Sequence, residues 1–316
     1  MTSGPVSSKA PIYAALIGNL LVAITKFIAA GWTGSSSMLS EGIHSLVDTG
    51  NEVLLLYGIR RAGNPPDREH PLGYGRELYF WSFIVALLIF AVGAGVSLYE
   101  GVMHILAPEP IADPHVSYIV LGLSFLFEGV SWWVSFRSFR RLKGDMGYLE
   151  AVRKSKDPPS FMVLLEDTAA LLGLVIAFAG VFLSVQLGDT RIDGLASIGI
   201  GLLLAVVAAV LARESKNLLI GERADARLSQ SILAIADAEP GVTHANGVIT
   251  SHLAPDQVVA ALSVDFDDQL LAGDIETAVS NIEDRVRQAH PEISALFVKP
   301  QSTEQYQQAK MKRYKA

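Results

Sequence analysis

Six long hydrophobic runs dominate the chain and leave it few ways to fold. They fall at about Pro11–Trp32, Met38–Tyr57, Leu78–Leu106, His115–Phe139, Phe161–Leu187 and Ile192–Leu211, each near the roughly 20 residues an α-helix needs to cross a bilayer. The expectation is a polytopic membrane protein with six transmembrane helices. Composition agrees, since only 18% of the 316 residues are charged, against about 25% in an ordinary soluble domain. The absence of cysteine excludes disulfides, zinc–thiolate sites and thiol chemistry. A net charge of −7 without a basic face gives no ground for a nucleic-acid partner. The first ten residues hold one lysine and no apolar core, so no cleavable signal peptide is expected.

The second run carries charges that a membrane span normally excludes. Glu41, His44, Asp48 and Glu52 recur three and four apart and so share one face of a helix. Gly42, Ser45, Thr49 and Gly50 beside them are small enough to let neighbouring helices approach closely. Ionisable groups at membrane depth are costly and face a bundle interior or a water path, which makes the stripe a candidate functional site. An imidazole and a carboxylate one turn apart, as in His44 and Asp48, can hold one divalent cation between them. A stripe that only fastens helices together is the plainer alternative.

The loops sort by charge. Arg60, Arg61, Arg68 and Arg76 follow the second span, and Arg140, Arg141, Lys143, Arg153, Lys154 and Lys156 follow the fourth, whereas the remaining loops contain only Arg191. The positive-inside rule therefore places both termini in the cytoplasm.

From Gly221 to Pro300 the chain turns soluble in character and acidic. Leu228, Ile232 and Ile235 mark an amphipathic helix ended by Pro240-Gly241, and Ile275, Val279, Ile282 and Val286 mark a second. Val258, Ala260, Leu262, Val264 and Phe266 alternate as in a strand that Val248–Leu253 can pair with, and Ile293–Lys299 reads as a last strand. The order α-β-β-α-β fits a small α+β domain with helices on one face of a sheet. The expected organisation is thus a membrane domain over 1–220, an α+β domain over 221–300 and a polar tail over 301–316, disordered or lying near the membrane.

Glu166 and Asp167 form an acidic pair inside the fifth span. Neighbours on a helix point about 100° apart, so one can ligate while the other accepts hydrogen bonds or protons. Glu128 sits in the middle of the fourth span, as a proton carrier, a supporting partner or a packing residue. Asp193 is expected at an entrance, and Lys26, His104 and His115 near span ends, where snorkelling explains them.

Taken together, these motifs resemble the cation diffusion facilitator family over about Ile12 to Lys299. His44-x-x-x-Asp48 is similar to that family's second-span motif, Gly73-Tyr-Gly-Arg-Glu77 to the glycine-rich turn before its third span, and Asp193 to Gly201 to the start of its sixth. The run Leu165-Glu-Asp-Thr-Ala-Ala170 is most similar to the branch containing the mitochondrial zinc exporter. The resemblance implies a ferredoxin-like cytoplasmic domain, a homodimer, and metal ligands drawn in four-residue-spaced pairs from spans two and five. On this chain those are His44, Asp48 and Asp167. The fourth position holds Val163, and Glu166, about 60° round the helix from it, can substitute. One histidine with three carboxylates suits Zn²⁺ and tilts toward harder ions such as Mn²⁺.

Two other sites implied by the resemblance are depleted here. Asp67 and His70 fall near a loop site, but Tyr74 stands where a further histidine is expected, and two ligands make a poor site. The cytoplasmic zinc positions align with Asn246, Ser263, Phe297 and Lys299, with His244 and His252 nearby as surface residues. The expected activity is proton-coupled antiport of a divalent transition metal, Zn²⁺ first and Mn²⁺, Fe²⁺, Co²⁺ or Cd²⁺ as alternatives, out of the cytoplasm across the inner (plasma) membrane. No prosthetic group and no enzymatic chemistry are implied. The rival expectation is a non-transporting metal-sensing or partner subunit of the same fold.

Overall fold

The computed structural model describes residues 9–33, 36–108 and 114–314, which fall into two compact units, 1–63 with 77–216 and 64–76 with 217–316. Inside the helices a few side chains also lie outside the described residues, His44 and Glu41 among them.

The first unit is helical. Its elements are α1 (Ala10–Thr33), α2 (Ser36–Ala62), α3 (Glu77–Leu88), a π-helical turn over Ile89–Ala94, α4 (Gly95–Leu106), α5 (Pro114–Lys143), α6 (Tyr148–Lys154), α7 (Pro158–Leu187) and α8 (Arg191–Ile220). Among the described residues five segments are long and apolar enough to cross a membrane: Ala10–Ala29, Glu77–Leu106, His115–Lys143, Pro158–Leu187 and Arg191–Ile220. The third is α3 and α4 joined through the π turn. At 27 residues, α2 is about 40 Å long and has the reach to cross as well, but Asp48 and Glu52 dilute its hydropathy.

Local chemistry sets the helix ends. Arg60 and Arg61 fill the last turn of α2, where cations complement the helix dipole. Arg61 Nη2 donates to Glu77 Oε1 over 2.9 Å and Trp81 Nε1 to Glu77 Oε2 over 2.7 Å, which ties the end of α2 to the start of α3. Pro158-Pro159 opens α7 and Gly188, at φ +65°, closes it, since proline suits the first turn and glycine the left-handed cap. Between α4 and α8 the backbones nearly touch. A Cβ on Gly194 would stand 2.8 Å from Gly101 O, and one on Gly101 2.8 Å from Gly194 O, so only glycine fits at either place.

Within the bundle α1 packs on α2 and α5, and α5 on α7. Ile12, Leu55, Phe139, Phe161, Met162, Val163, Leu164 and Leu211 belong to one buried apolar cluster. It lies toward the basic end of the bundle: Leu55 follows Glu52 on the way to Arg60, Phe139 adjoins Arg140, and Phe161–Leu164 fill the first turns of α7.

The second unit runs α9 (Ala226–Asp237), β1 (Val242–Ala254), β2 (Gln257–Phe266), α10 (Ala272–Ala289), β3 (Ile293–Pro300) and α11 (Thr303–Tyr314). The sheet order is β1-β2-β3, antiparallel between β1 and β2 and parallel between β2 and β3, the parallel pair being joined by α10 as a crossover helix. This is the expected α-β-β-α-β order. Val258, Ala260, Leu262, Val264 and Phe266 of β2 all turn inward onto Ile232, Ile282 and Val286 of the helices. The opposite face of the sheet carries a cross-strand row, Ile249–Ala261–Phe297, with Ile249 47% and Phe297 58% exposed.

The polar tail, expected to be disordered or lying near the membrane, forms α11. Thr303 Oγ1 donates to Asn246 Oδ1 over 2.8 Å and its backbone N–H to Asp265 Oδ2 over 2.8 Å, while Tyr306 crowds Gly247. The loop 64–76 groups with the second unit, its residues 65–72 exposed. A Cβ on Gly75 would meet Gln257 Oε1 at 2.7 Å and Leu253 O at 2.9 Å, so glycine is what lets this loop lie against the β1–β2 hairpin.

Candidate metal site

The described part of the α2 polar stripe, Asp48 and Glu52, turns into the bundle. Ser45, Thr49, Asn51 and Glu52 are buried, Glu52 completely, and Asp48 is half-buried. The helices around it contribute matching faces. On α5, Ser124, Glu128, Ser131 and Ser135 recur three and four apart and are all buried. On α1, Asn19 and Lys26 are buried two turns apart. On α7 the acidic pair faces in, with Asp167 2% exposed and both Glu166 oxygens shielded from solvent.

The two acids of α7 take different roles. Asp167 Oδ2 accepts from Ser131 Oγ over 2.9 Å and from Ser135 Oγ over 3.0 Å. Alongside, Trp132 Nε1 donates to Thr168 Oγ1 over 3.0 Å, so α5 clamps this turn of α7 at adjoining positions. Glu166 adjoins the Asn51 amide, yet neither of its oxygens has a hydrogen-bond partner among the described residues. Asp48, Glu52, Glu128, Glu166 and Asp167 form one electrostatic neighbourhood.

Val163 is wholly buried in the apolar cluster, one turn from Asp167 and on its basic-end side. The position that carries a ligand in the resembling family is therefore part of the hydrophobic plug in this chain. Among the described residues no three histidine, aspartate or glutamate side chains converge as metal ligands, and the His44 side chain lies outside the described residues.

Sequence reasoning missed several members of this seam. Lys26 does not snorkel: it is 8% exposed and its Nζ donates to Ser45 Oγ on α2 over 3.0 Å. It is also an electrostatic neighbour of Glu128. Ser131 and Ser135 went unnoticed, although two serines one turn apart in an apolar span were a visible signal. His104 and Asp193 are partners, with Nδ1 and Oδ2 3.8 Å apart.

Asp67 is engaged in shaping its own loop. Its Oδ1 accepts from the backbone N–H groups of Glu69 and His70 over 2.9 and 2.7 Å, and its Oδ2 from Tyr74 Oη over 2.6 Å. The Tyr74 hydroxyl first, then the His70 amide, hold this carboxyl below its usual range. In the second unit Asn246 Nδ2 donates to Gln301 O over 2.7 Å and Ser263 Oγ to Gln301 Oε1 over 3.1 Å, so both positions fasten the chain that leads to α11. His252, expected at the surface, is buried, with Nδ1 3.2 Å from Ala254 O.

A helical membrane bundle that encloses a seam of buried carboxylates is the architecture of an integral-membrane cation carrier. Residues 12–220 match the cation efflux transmembrane domain, and the chain belongs to that family. It is 36% identical over 262 residues to the mouse (Mus musculus) protein named proton-coupled zinc antiporter SLC30A9, mitochondrial, covering 82% of this chain and 46% of that one. It is 31% identical over 267 residues to metal tolerance protein C4 of Arabidopsis thaliana, at 84% and 58% coverage. Against the cation-efflux pump FieF of Shigella flexneri it is 25% identical over 289 residues, at 91% and 90%. The chain thus spans about half the length of the mouse relative.

Proposed function

We propose that the chain is a proton-coupled antiporter that exports divalent transition-metal ions, Zn²⁺ foremost, from the cytoplasm. Among its relatives one is named a zinc antiporter and one a cation-efflux pump. The observation that carries the reading is the convergence of acidic α2 and α7 faces inside the bundle, with Asp167 oriented by two serines. His44, Asp48 and Asp167 bind the ion as cargo, with Glu166 as the further carboxylate. Neutral imidazole ligates and imidazolium does not, so protonation of His44 on the far side releases the metal.

The apolar cluster at the basic end supports an arrangement closed toward the cytoplasm, because Leu55, Phe139 and Val163 stand between the seam and that end. Rocking of the bundle around the site then exchanges access between the two sides. The unit at the C-terminus serves as a homodimerisation domain in this reading, with its exposed apolar row as the contact, and the membrane is a bacterial inner membrane or its organellar equivalent.

The test is flux into liposomes across Zn²⁺, Mn²⁺, Fe²⁺, Co²⁺, Cd²⁺ and Mg²⁺, with and without an opposing pH gradient. Zinc uptake that needs the gradient and disappears in Asp48→Ala and Asp167→Ala is the expected result. Absence of flux for every ion would favour the non-transporting subunit, and flux indifferent to pH would leave a uniporter.

A further inference from the structure

Glu52 of α2 is fully buried, at 0% exposure, and neither of its carboxylate oxygens has a hydrogen-bond partner among the described residues. Both oxygens of Glu166 are in the same condition, as is the amide oxygen of Asn51, a residue 2% exposed. These groups come together from two helices: Glu166 is a direct electrostatic neighbour of Glu52, and the Asn51 amide adjoins Glu166. Buried polar atoms in folded proteins are otherwise nearly always satisfied, and as charged carboxylates Glu52 and Glu166 repel, so the cluster calls for positive charge, from a cation or a proton. Lys26 is directed elsewhere in the seam, donating to Ser45.

We propose that Glu52, Glu166 and the Asn51 amide oxygen form a second divalent-cation station, distinct from the His44–Asp48 pair. Glu52 lies four residues beyond Asp48, about 6 Å farther along α2, between that pair and the apolar cluster that begins at Leu55. The station therefore occupies the path on the basic-end side of the main site and gives an incoming ion a place to shed water before it meets the imidazole. Its donors are all oxygen, so it takes hard and borderline ions alike, Mn²⁺ as readily as Zn²⁺. Discrimination in favour of zinc then rests with His44.

The proposal rests on the transport reading above but is tested separately, on the full chain in detergent micelles with Mn²⁺ as the probe, followed by electron paramagnetic resonance. Asp48→Ala is expected to keep a bound Mn²⁺, and Asp48→Ala/Glu52→Gln to lose it. Loss of a supporting residue outside the ligand shell already weakens metal binding roughly 10- to 100-fold, so removal of a direct ligand should cost at least that. Glu52→Asp, which keeps the charge, should recover part of the binding, and gel filtration of each variant checks that it remains folded. Glutamine is an isostere of protonated glutamate. Mn²⁺ binding in Asp48→Ala/Glu52→Gln equal to that in Asp48→Ala would show that Glu52 merely shares a proton with Glu166, and would overturn the station. Normal zinc transport by Asp48→Ala and Asp167→Ala would instead overturn the transport site, whatever Glu52 does.

Discussion

Ser131 Oγ donates to Asp167 Oδ2 over 2.9 Å across the α5–α7 contact, and Ser135, one turn on, donates to the same oxygen over 3.0 Å. The same carboxylate oxygen therefore has two donors, which leaves Oδ1 as the atom best placed to face a cation. Glu166, one residue earlier, has no such support. The acidic pair thus divides into an oriented carboxylate and one without such donors, in keeping with the angle between helix neighbours.

The first prediction follows from that clamp. Ser131→Ala with Ser135→Ala removes both donors without touching a charge. Outer partners of metal ligands are worth roughly 10- to 100-fold in affinity, so the apparent KM for zinc in vesicle uptake should rise by that factor with little loss of expressed protein. An unchanged KM would mean that Asp167 does not ligate through an oriented carboxylate.

A second prediction concerns Val163, where the resemblance places a ligand. Its side chain is wholly buried among apolar neighbours, so restoring a polar residue should not restore a site. Burying an unsatisfied polar group costs about 1–3 kcal/mol, and Val163→Asp should lower the thermal midpoint without improving transport. Greater zinc affinity in Val163→Asp would show that the plug opens onto the site.

Much of this was readable from residue spacing, because spacing reports the face a residue occupies on its own element. The period of two in Val258–Phe266 gave β2 and its buried side, and the three-and-four spacing on α2 gave the stripe. Spacing is silent on which faces meet. Lys26 near a span end fits snorkelling equally well, and only the packing of α1 on α2 brings it to Ser45. Ser131 and Asp167 are 36 positions apart, so no local pattern links them. The helix α11 was hidden for a related reason: its polar composition reads as disorder, and what holds it is bonding to Asn246 and Asp265.

Topology is directly testable because the chain has no native cysteine. In an otherwise active protein, Asp189→Cys should react with an impermeant thiol reagent from outside, while Gly63→Cys and Asp145→Cys should not. The reverse pattern would invert the positive-inside orientation and with it the direction of export.

The loop around Asp67 gives a pH-dependent prediction. The Tyr74 hydroxyl is the first cause of the lowered carboxyl and the His70 amide the second. A depressed folded-state value means that the contribution to loop order is present above the unfolded value of about 3.9 and is lost as pH falls through the still lower folded value. Tyr74→Phe removes the larger cause, so the Asp67 titration followed by carboxyl-selective NMR should move up toward about 3.9. Titration unmoved by Tyr74→Phe would make the backbone amides the dominant donors. Neutral-pH transport should be indifferent to the change, since Asp67 is committed to its turn.

The last prediction concerns zinc and the second unit. A bridging zinc site at the positions implied by the resemblance would need Asn246, Ser263, Phe297 and Lys299 as ligands. Asn246 is held by Gln301 and Thr303, and Ser263 by Gln301. Phe297 and Lys299 offer a ring and an ammonium, neither of which ligates a divalent ion. His244 lies 3.6 Å from Asp237, and His252 is buried beside Ala254 O. Residues 217–316, with their own hydrophobic core, should therefore bind zinc only loosely, through acidic surface groups whose attraction salt screens within about 10 Å at 0.1 M. Any dimer this unit forms should rest on apolar burial, the exposed Ile249–Ala261–Phe297 row being the available surface. Phe297→Asp should then shift the sedimentation of the fragment toward monomer, whereas a chelator should leave it unchanged. Stoichiometric, salt-insensitive zinc binding by calorimetry, or a dimer that dissolves on chelation, would refute this account and bring His244, His252 or the acidic surface forward as a metal bridge.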